Sequence, residues 1–539
     1  MSESGYAIQP DAASGQLTPH AAPASAISGA DVLLPRAAAK AKPHASRLLW
    51  LVSFPAMLGA FLVARVFASM RAFFVDPDLW WHIKNGADIL ATHHWPTTDP
   101  YSFTVAGQPW MSCEWLGDVL LAAVSRIGGV LGLDILLIVL GSAVMIALYY
   151  LGTLRSGNSK AGFLAAGLVC SLAFVSFTLR PQMLGYLFLV LTMIALEFFR
   201  QGKHRAIWFL PPLMLVWINT HGSWIIGLGA IFAYWICGLK QFQLGGIEGK
   251  AWTSSERRQI SFIFMLCLAV LPITPYGTRL AAYPFHVASS LPLSLTYVTE
   301  WWPMPFNTSG GKLFLAILLG FLVLQIVYRF SWRLEELALF LFATTITCIH
   351  MRFVLVFVPF FVPLLATTFA RWLPLYDRRK EHYALNAVLI AAVIAGMLWF
   401  RPTQTSIQDR IEARFPVGAV NYIRQHSVPE PMFNAYNFGG YLVWSLDPGR
   451  QVYVDGRSEL YEAGGVLGDY IHIANLSPGA LKLLADYHVK SCLMEHDAPL
   501  ATVLAALPEW KKVYSDGTSV LFVRQDSSTV SNLPSAERK

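Results

Sequence analysis

Two carboxylates, two indoles and an imidazole fall within the run Asp76-Pro77-Asp78-Leu79-Trp80-Trp81-His82. A carboxylate in such company has two chemical uses. It can take a proton from a nucleophile as a new bond forms, or it can supply oxygen to a divalent cation that activates the nucleophile instead. The indoles suit the apolar face of a sugar or the headgroup layer of a membrane, where a flat ring with one polar N–H is favoured. The run directly follows the apolar stretch Leu48–Met70. Ionisable groups at the mouth of a membrane helix are costly to desolvate and mark function by default. The plainer reading of the same residues is an interfacial aromatic belt with two solvated aspartates, and the rest of the chain bears on the choice.

Other groups of the right kind recur between apolar stretches. The segment 71–130 also carries His93, His94, Asp99, Trp110, Glu114 and Asp118. Arg180-Pro181-Gln182 joins two apolar runs through a near-minimal connection, which holds a guanidinium at the membrane surface; such a group binds phosphate through a planar fork or serves as a snorkelling anchor. Asn219-Thr220-His221-Gly222 makes a second tight turn, in which Asn219 reads as a turn cap. The segment 276–311 brings Tyr276, Arg279, His286, Glu300, Trp301 and Trp302, repeating the acid-plus-indole theme, and His350 and Arg352 end a further run.

These groups need a scaffold, and composition says what kind. The chain has 539 residues, 55% hydrophobic and only 14% charged, with mean hydropathy +0.48. That is a polytopic α-helical membrane protein. About eleven spans are expected, at roughly 48–70, 131–152, 161–179, 182–199, 205–220, 223–239, 260–275, 312–330, 335–350, 353–371 and 383–400. With the N-terminus in the cytoplasm, Arg155–Lys160, Arg200–Arg205, Lys240–Arg258, Arg329–Arg333 and Arg371–Lys380 all fall inside, as the positive-inside tendency requires. The chemistry-bearing loops then share the outer side. The short stretch 115–128 is read as an interfacial helix, because it carries Asp118 and Arg126 and a span there would invert every later loop. The net charge of +7 is accounted for by the inside loops and implies no nucleic-acid partner. The six cysteines are scattered singly, without metal-type spacing, and read as small buried hydrophobes.

Residues 1–47, rich in Ala, Ser and Pro and basic at their end, read as a disordered cytoplasmic tail before a retained signal anchor. Residues 48–400 form the membrane domain. Residues 401–539 alternate helical and strand patterns and read as a small external α/β domain. Helices are expected near 409–426, 441–446, 466–488 and 498–507, strands at 431–434, 451–455 and 489–494, and a hairpin around Asp516-Gly517. Asn434-Ala435-Tyr436-Asn437-Phe438-Gly439-Gly440-Tyr441 and Asp455-Gly456-Arg457 sit at strand ends, where α/β folds place ligand loops; the latter is equally a good turn.

An acidic motif after the first span, a long first external loop, many spans and an outer C-terminal domain together resemble the GT-C superfamily of polytopic membrane glycosyltransferases. The first loop is most similar to oligosaccharyltransferase catalytic subunits, through Asp76-Pro77-Asp78 and the later Trp95-Pro96-Thr97-Thr98-Asp99-Pro100-Tyr101-Ser102, with Glu300 where those subunits carry a glutamate in a late external loop. The chain also resembles bacterial membrane proteins with Asp-Gly-Arg near the C-terminus. The resemblance implies a polyprenyl-phosphate-linked sugar donor and an acceptor outside the cytoplasmic membrane. Asp78 first and Asp76 second would be catalytic, Arg180 and Arg352 would bind the donor phosphate, and Trp80, Trp81, His82, Tyr436, Asp455 and Arg457 would contact acceptor or sugar. Asp76, Asp78, His82 and Glu300 would hold a divalent cation such as Mg or Mn. The alternatives are en bloc glycan transfer to protein, as in oligosaccharyltransferases, and a transporter or envelope scaffold. A transporter should show repeats between halves and charges embedded in spans, and neither is evident.

Overall fold

A helix lies on each of the eleven apolar stretches of the computed structural model, which describes residues 49–70, 76–173, 177–290, 292–328, 330–525 and 536–537. The expected tail at 1–47 lies outside the described residues. Four helices are long and apolar enough to cross a membrane: Trp115–Ser156, Gln182–Arg200, Ser309–Tyr328 and Met351–Phe369. Tyr383–Trp399 and Gln404–Glu412, bent by 56° at their junction, would together make a fifth. Among the described residues four or five helices thus reach full-span length, against the about eleven spans expected. Trp224–Cys237 has 14 residues, and His204–Ile218, a 3₁₀ turn run into an α-helix, has 15. At 1.5 Å per residue a 15-residue helix reaches about 22 Å, short of a hydrocarbon core of about 30 Å. Pro211-Pro212 fall in the first turn of Leu210–Ile218, where a missing N–H is tolerated, and the 205–220 stretch changes there from a 3₁₀ turn, His204–Phe209, to an α-helix.

The helices turn large apolar side chains outward. Val323, Ile326 and Val327 on Ser309–Tyr328 are 57%, 77% and 63% exposed. A contiguous apolar face of this kind is stable only against lipid or another protein. Inward, Val354–Phe369 is buried along most of its length and packs on Ser159–Ala173 and Trp115–Ser156.

Trp115–Ser156 is two helices joined at a break. Gly129 adopts φ 57° and ψ −149° inside it, a conformation open to glycine and costly for other residues. The expected 115–128 segment is thus a helix of its own before the membrane-length portion. Its inner face, with Gly117, Asp118, Leu121 and Ala122, is buried. Leu79–Thr92 packs against it closely: a Cβ at Gly86 would overlap the Asp118 backbone and stand 2.8 Å from Val119 N.

The ends of the bundle differ in character. Gln182–Arg200 and Leu334–Ile349 both run between a terminus bearing Arg180 or Arg352 and a terminus bearing ion pairs. At the second end Arg155 pairs with Glu336, Arg200 with Glu335, and Arg333 with Glu197 at 2.8 Å. Three cations and three carboxylates neutralise one another there. The candidate chemistry lies at the first end.

The C-terminal residues form a five-stranded sheet in the order Met432–Asn434, Ser491–Glu495, Ser519–Arg524, Trp510–Ser515, Ala536–Glu537. Its outer pairs are parallel and its inner pairs antiparallel. The strand expected at 451–455 is absent: Val452 makes one isolated bridge, to Ser102. The helix expected at 409–426 is interrupted at Pro416 into Gln404–Glu412 and Val417–Gln425. From Leu49 onward the chain is one compact unit, so these elements are built onto the helices. Trp80 shows how. It is 1% exposed and packs its indole on Phe415, Tyr441 and Trp444.

Candidate active site

Asp76 opens the site. One of its oxygens accepts the Asp78 backbone N–H at 2.9 Å, closing the turn that starts the Leu79–Thr92 helix. Its other oxygen accepts Nε–H of Arg180 at 2.6 Å. Asp78 occupies the N-cap position without a capping hydrogen bond from its side chain; its carboxylate instead stands 3.0 Å from Nη1 of Arg180. Glu300 reaches the same nitrogen at 3.1 Å. One guanidinium therefore serves three carboxylates, leaving a net negative cluster. Burial, opposed by Arg180 and reinforced by Asp76, pushes Asp78 up to about 6.

The C-terminal glycines shape the other wall. A Cβ at Gly456 would stand 2.7 Å from Cγ of Asp78, closer still to its Oδ1, and 3.3 Å from Nε1 of Trp81. A Cβ at Gly440 would strike the carbonyl oxygen of Pro77. Asp-Pro-Asp, Gly-Gly and Asp-Gly-Arg, scattered over the sequence, are thus parts of one joint. Tyr436 closes it by donating its hydroxyl to the Gly456 carbonyl at 3.1 Å.

Arg352 approaches from the end of Leu334–Ile349. Its guanidinium lies 4.1 Å from the Trp301 ring centroid, and among the described residues it has no carboxylate partner. The Glu300–Trp302 turn is tied to this arm: Met351 N–H donates to the Trp302 carbonyl at 2.9 Å, and the His350 ring bonds the Trp301 carbonyl.

A second line of groups runs behind Asp78. Asp118, fully buried, accepts from His82 Nδ1 at 2.6 Å, Asn85 at 2.6 Å and Ser112 at 2.9 Å. His82 Nε2 faces Glu114 at 3.6 Å, and the other Glu114 oxygen is 3.2 Å from His221 Nε2. His221 Nδ1 accepts the Ser223 backbone N–H at 3.1 Å, so its proton sits on Nε2 and donates to Glu114. Burial, and then the cations Arg352, His82 and Arg180, push His221 down to about 3. Burial pushes Glu114 up to about 7 against the pull of His82. For His82 burial disfavours the charged ring, but the Asp118 charge and hydrogen bond outweigh it, and the pKa rises.

The expected site residues thus divide. Asp76, Asp78, Arg180, Glu300, Arg352, Trp81 and Tyr436 are brought to one end of the helices, and Trp81 Nε1 is buried without a hydrogen-bond partner among the described residues. Trp80 is core. Asp455 and Arg457 are buried as well, and pair with each other. Arg457 grips Asp455 through Nε and Nη2 at 2.8 and 2.6 Å, and its Nη1 meets Asp99 at 2.7 Å. Its guanidinium is 4.6 Å from the Trp110 centroid. Of the tentative metal set, Asp76, Asp78 and Glu300 meet at the Arg180 guanidinium, while His82 faces Asp118. Among the described residues no group of three His, Cys, Asp or Glu is placed to hold a metal ion. The roles of Glu114, Asp118 and His221 went unassigned in the sequence, although Glu114 and Asp118 stand four residues apart on one helical face, as do Asp78 and His82.

No protein-family model matches the chain, and no curated protein matches it. Among solved structures it is similar to the Archaeoglobus fulgidus oligosaccharyltransferase tethered with an acceptor peptide, with 13% identity over 81% of this chain and 68% of that one and a TM-score of 0.46. The archaeal oligosaccharyltransferase AglB in complex with an inhibitory peptide and a dolichol-phosphate gives 9% identity, 84% and 70% coverage, and 0.46. ArnT from Cupriavidus metallidurans bound to undecaprenyl phosphate gives 13% identity, 92% and 100% coverage, and 0.40. At such scores the chemistry has to be argued from this chain's own residues.

Proposed function

We propose that the chain is an integral membrane glycosyltransferase that moves a sugar from a polyprenyl-phosphate-linked donor to an extracytoplasmic acceptor. The observation that carries this reading is Arg352: a half-buried guanidinium on the face of Trp301, without a carboxylate partner among the described residues, beside carboxylates already held on a second guanidinium. The two arginines then have different work. Arg352 neutralises the phosphate, where negative charge grows as the glycosidic bond breaks. Arg180 orders Asp76, Asp78 and Glu300. Asp78 orients or deprotonates the acceptor nucleophile, with Asp76 behind it, and Trp81 offers a ring face to a sugar. Because Arg180 occupies the space between the three carboxylates, no step is assigned to a metal ion.

The basic inside loops support a cytoplasmic N-terminus, with the Asp76–His82 side and the C-terminal α/β elements facing outward from the inner membrane of a bacterial envelope. The sugar and acceptor, whether glycan, lipid or protein, are left to experiment. Release of polyprenyl phosphate from a panel of lipid-linked sugars tests the reading, with Asp78→Asn beside wild type. Losing the carboxylate that orients or deprotonates the acceptor should cost on the order of a hundredfold in turnover. Wild-type turnover by folded Asp78→Asn would return the motif to an interfacial belt.

A further inference from the structure

Behind Asp78, the line Asp118–His82–Glu114 runs from the interior toward the open space. Side-chain exposure rises along it, from 0% at Asp118 and 2% at His82 to 24% at Glu114. Each inner member is fixed by hydrogen bonds that leave one atom facing the next. The three bonds to Asp118 are donated to it, and its negative charge favours the protonated His82 ring, whose Nδ1–H it accepts and whose Nε2–H faces Glu114. From the other side the neutral His221 donates its Nε2–H to Glu114, which holds the carboxyl in place without supplying a second charge. The groups facing Glu114 are therefore His82, His221 and Asp118, with Arg180 and Glu459 farther off.

We propose that Glu114 is a catalytic residue of this site, the one on which the acceptor's proton ends, and that His82 and Asp118 are its positioning partners. The proposal rests on the glycosyl-transfer reading and deepens it. In the step, the acceptor O–H or N–H bond breaks and its electron pair forms the new bond to the anomeric carbon. The bond from that carbon to the phosphate oxygen breaks, and its pair leaves on the phosphate facing Arg352. The proton passes to Glu114, whose carboxylate the charged His82 ring holds ready for it. Asp78, held 3.0 Å from Nη1 of Arg180, orients the acceptor.

Two readouts test this on the full-length protein in lipid nanodiscs. The first needs no substrate: infrared titration should show a protonated-carboxyl band with a midpoint near neutral pH. The band should be lost in Glu114→Gln and move to higher pH in His82→Gln, which removes the neighbouring cation. The second is turnover of the lipid-linked sugar that wild type accepts. Glu114→Gln should lose about a hundredfold or more in kcat while undecaprenyl phosphate binding is unchanged, and Glu114→Asp should keep part of the rate if Gln disturbs folding. A band that survives Glu114→Gln, or full turnover by that variant, overturns the assignment and leaves the glycosyl-transfer reading standing. Absence of transfer by wild type on every lipid-linked sugar removes that reading, and the assignment with it.

Discussion

Gly456→Ala adds one methyl group in the tightest part of the joint. The new Cβ would stand 2.7 Å from Cγ of Asp78, whereas two carbon atoms rest about 3.5–4.0 Å apart. The carboxyl must therefore retreat by about 1 Å. Its far side is not free, since Arg180 holds one oxygen at 3.0 Å, so retreat means rotating off that guanidinium. A misplacement of about 1 Å at a reacting group costs on the order of a hundredfold in rate. Stability should move little. Gly456 does not use the left-handed backbone region, and alanine gains about 0.4–1 kcal/mol by restricting the unfolded chain, which offsets some of the local crowding. The assay is turnover of a lipid-linked sugar with a thermal melt on the same preparation. The expected result is a near-native melt with turnover down about a hundredfold. Gly440→Ala is the contrast, because its Cβ meets the backbone carbonyl of Pro77, which cannot rotate away; its melt should fall. Full turnover by Gly456→Ala would refute the placement of Asp78 against this glycine, or its use.

Arg457→Ala should lower the melting temperature sharply, because it leaves Asp455 and Asp99 buried without their cation, a loss of about 3–5 kcal/mol; a native melt would refute the role of this cluster as a clasp between the first loop and the C-terminal elements. Burial raises Glu114 from 4.5 to about 7, so between those values the folded state holds the proton that the unfolded chain has released. Stability of wild type relative to Glu114→Gln should therefore fall as pH rises through that window and level off above it; melts at a series of pH values decide, and an opposite slope rejects the burial argument. A chelator should leave turnover unchanged, since Arg180 already neutralises the three carboxylates; loss on chelation with recovery on added Mn would mean that Arg180 yields them to a metal.

Local pattern carried much of this in the sequence. Apolar runs marked every helix of the bundle, and Asp76–His82 announced itself by its charge at the mouth of a helix. Span lengths were less legible, because the change from 3₁₀ to α at Pro211-Pro212 and the break at Gly129 fall inside runs that read as continuous. The surroundings of several site residues were not legible, for one physical reason: long-range packing is silent in local spacing. Arg457 looked like a ligand-loop residue until Asp99, 358 positions away, took its free nitrogen. Trp80 and Trp81 are neighbours of one residue type, yet one is wedged among Phe415, Tyr441 and Trp444 while the other stacks on His82 with ring centroids 3.7 Å apart. Arg180 and Arg352 were equivalent as loop cations, and only the positions of the carboxylates separate them.

That separation gives the most direct test. Binding of undecaprenyl phosphate to the purified protein in nanodiscs should be measured for wild type, Arg352→Ala and Asp78→Asn. A charge-assisted hydrogen bond to phosphate is worth about 1.5–3 kcal/mol, so Arg352→Ala should weaken binding by roughly tenfold to a hundredfold. Asp78→Asn should bind as wild type does. Equal affinity in wild type and Arg352→Ala, or no binding by wild type, would contradict a lipid-phosphate site at this end of the helices.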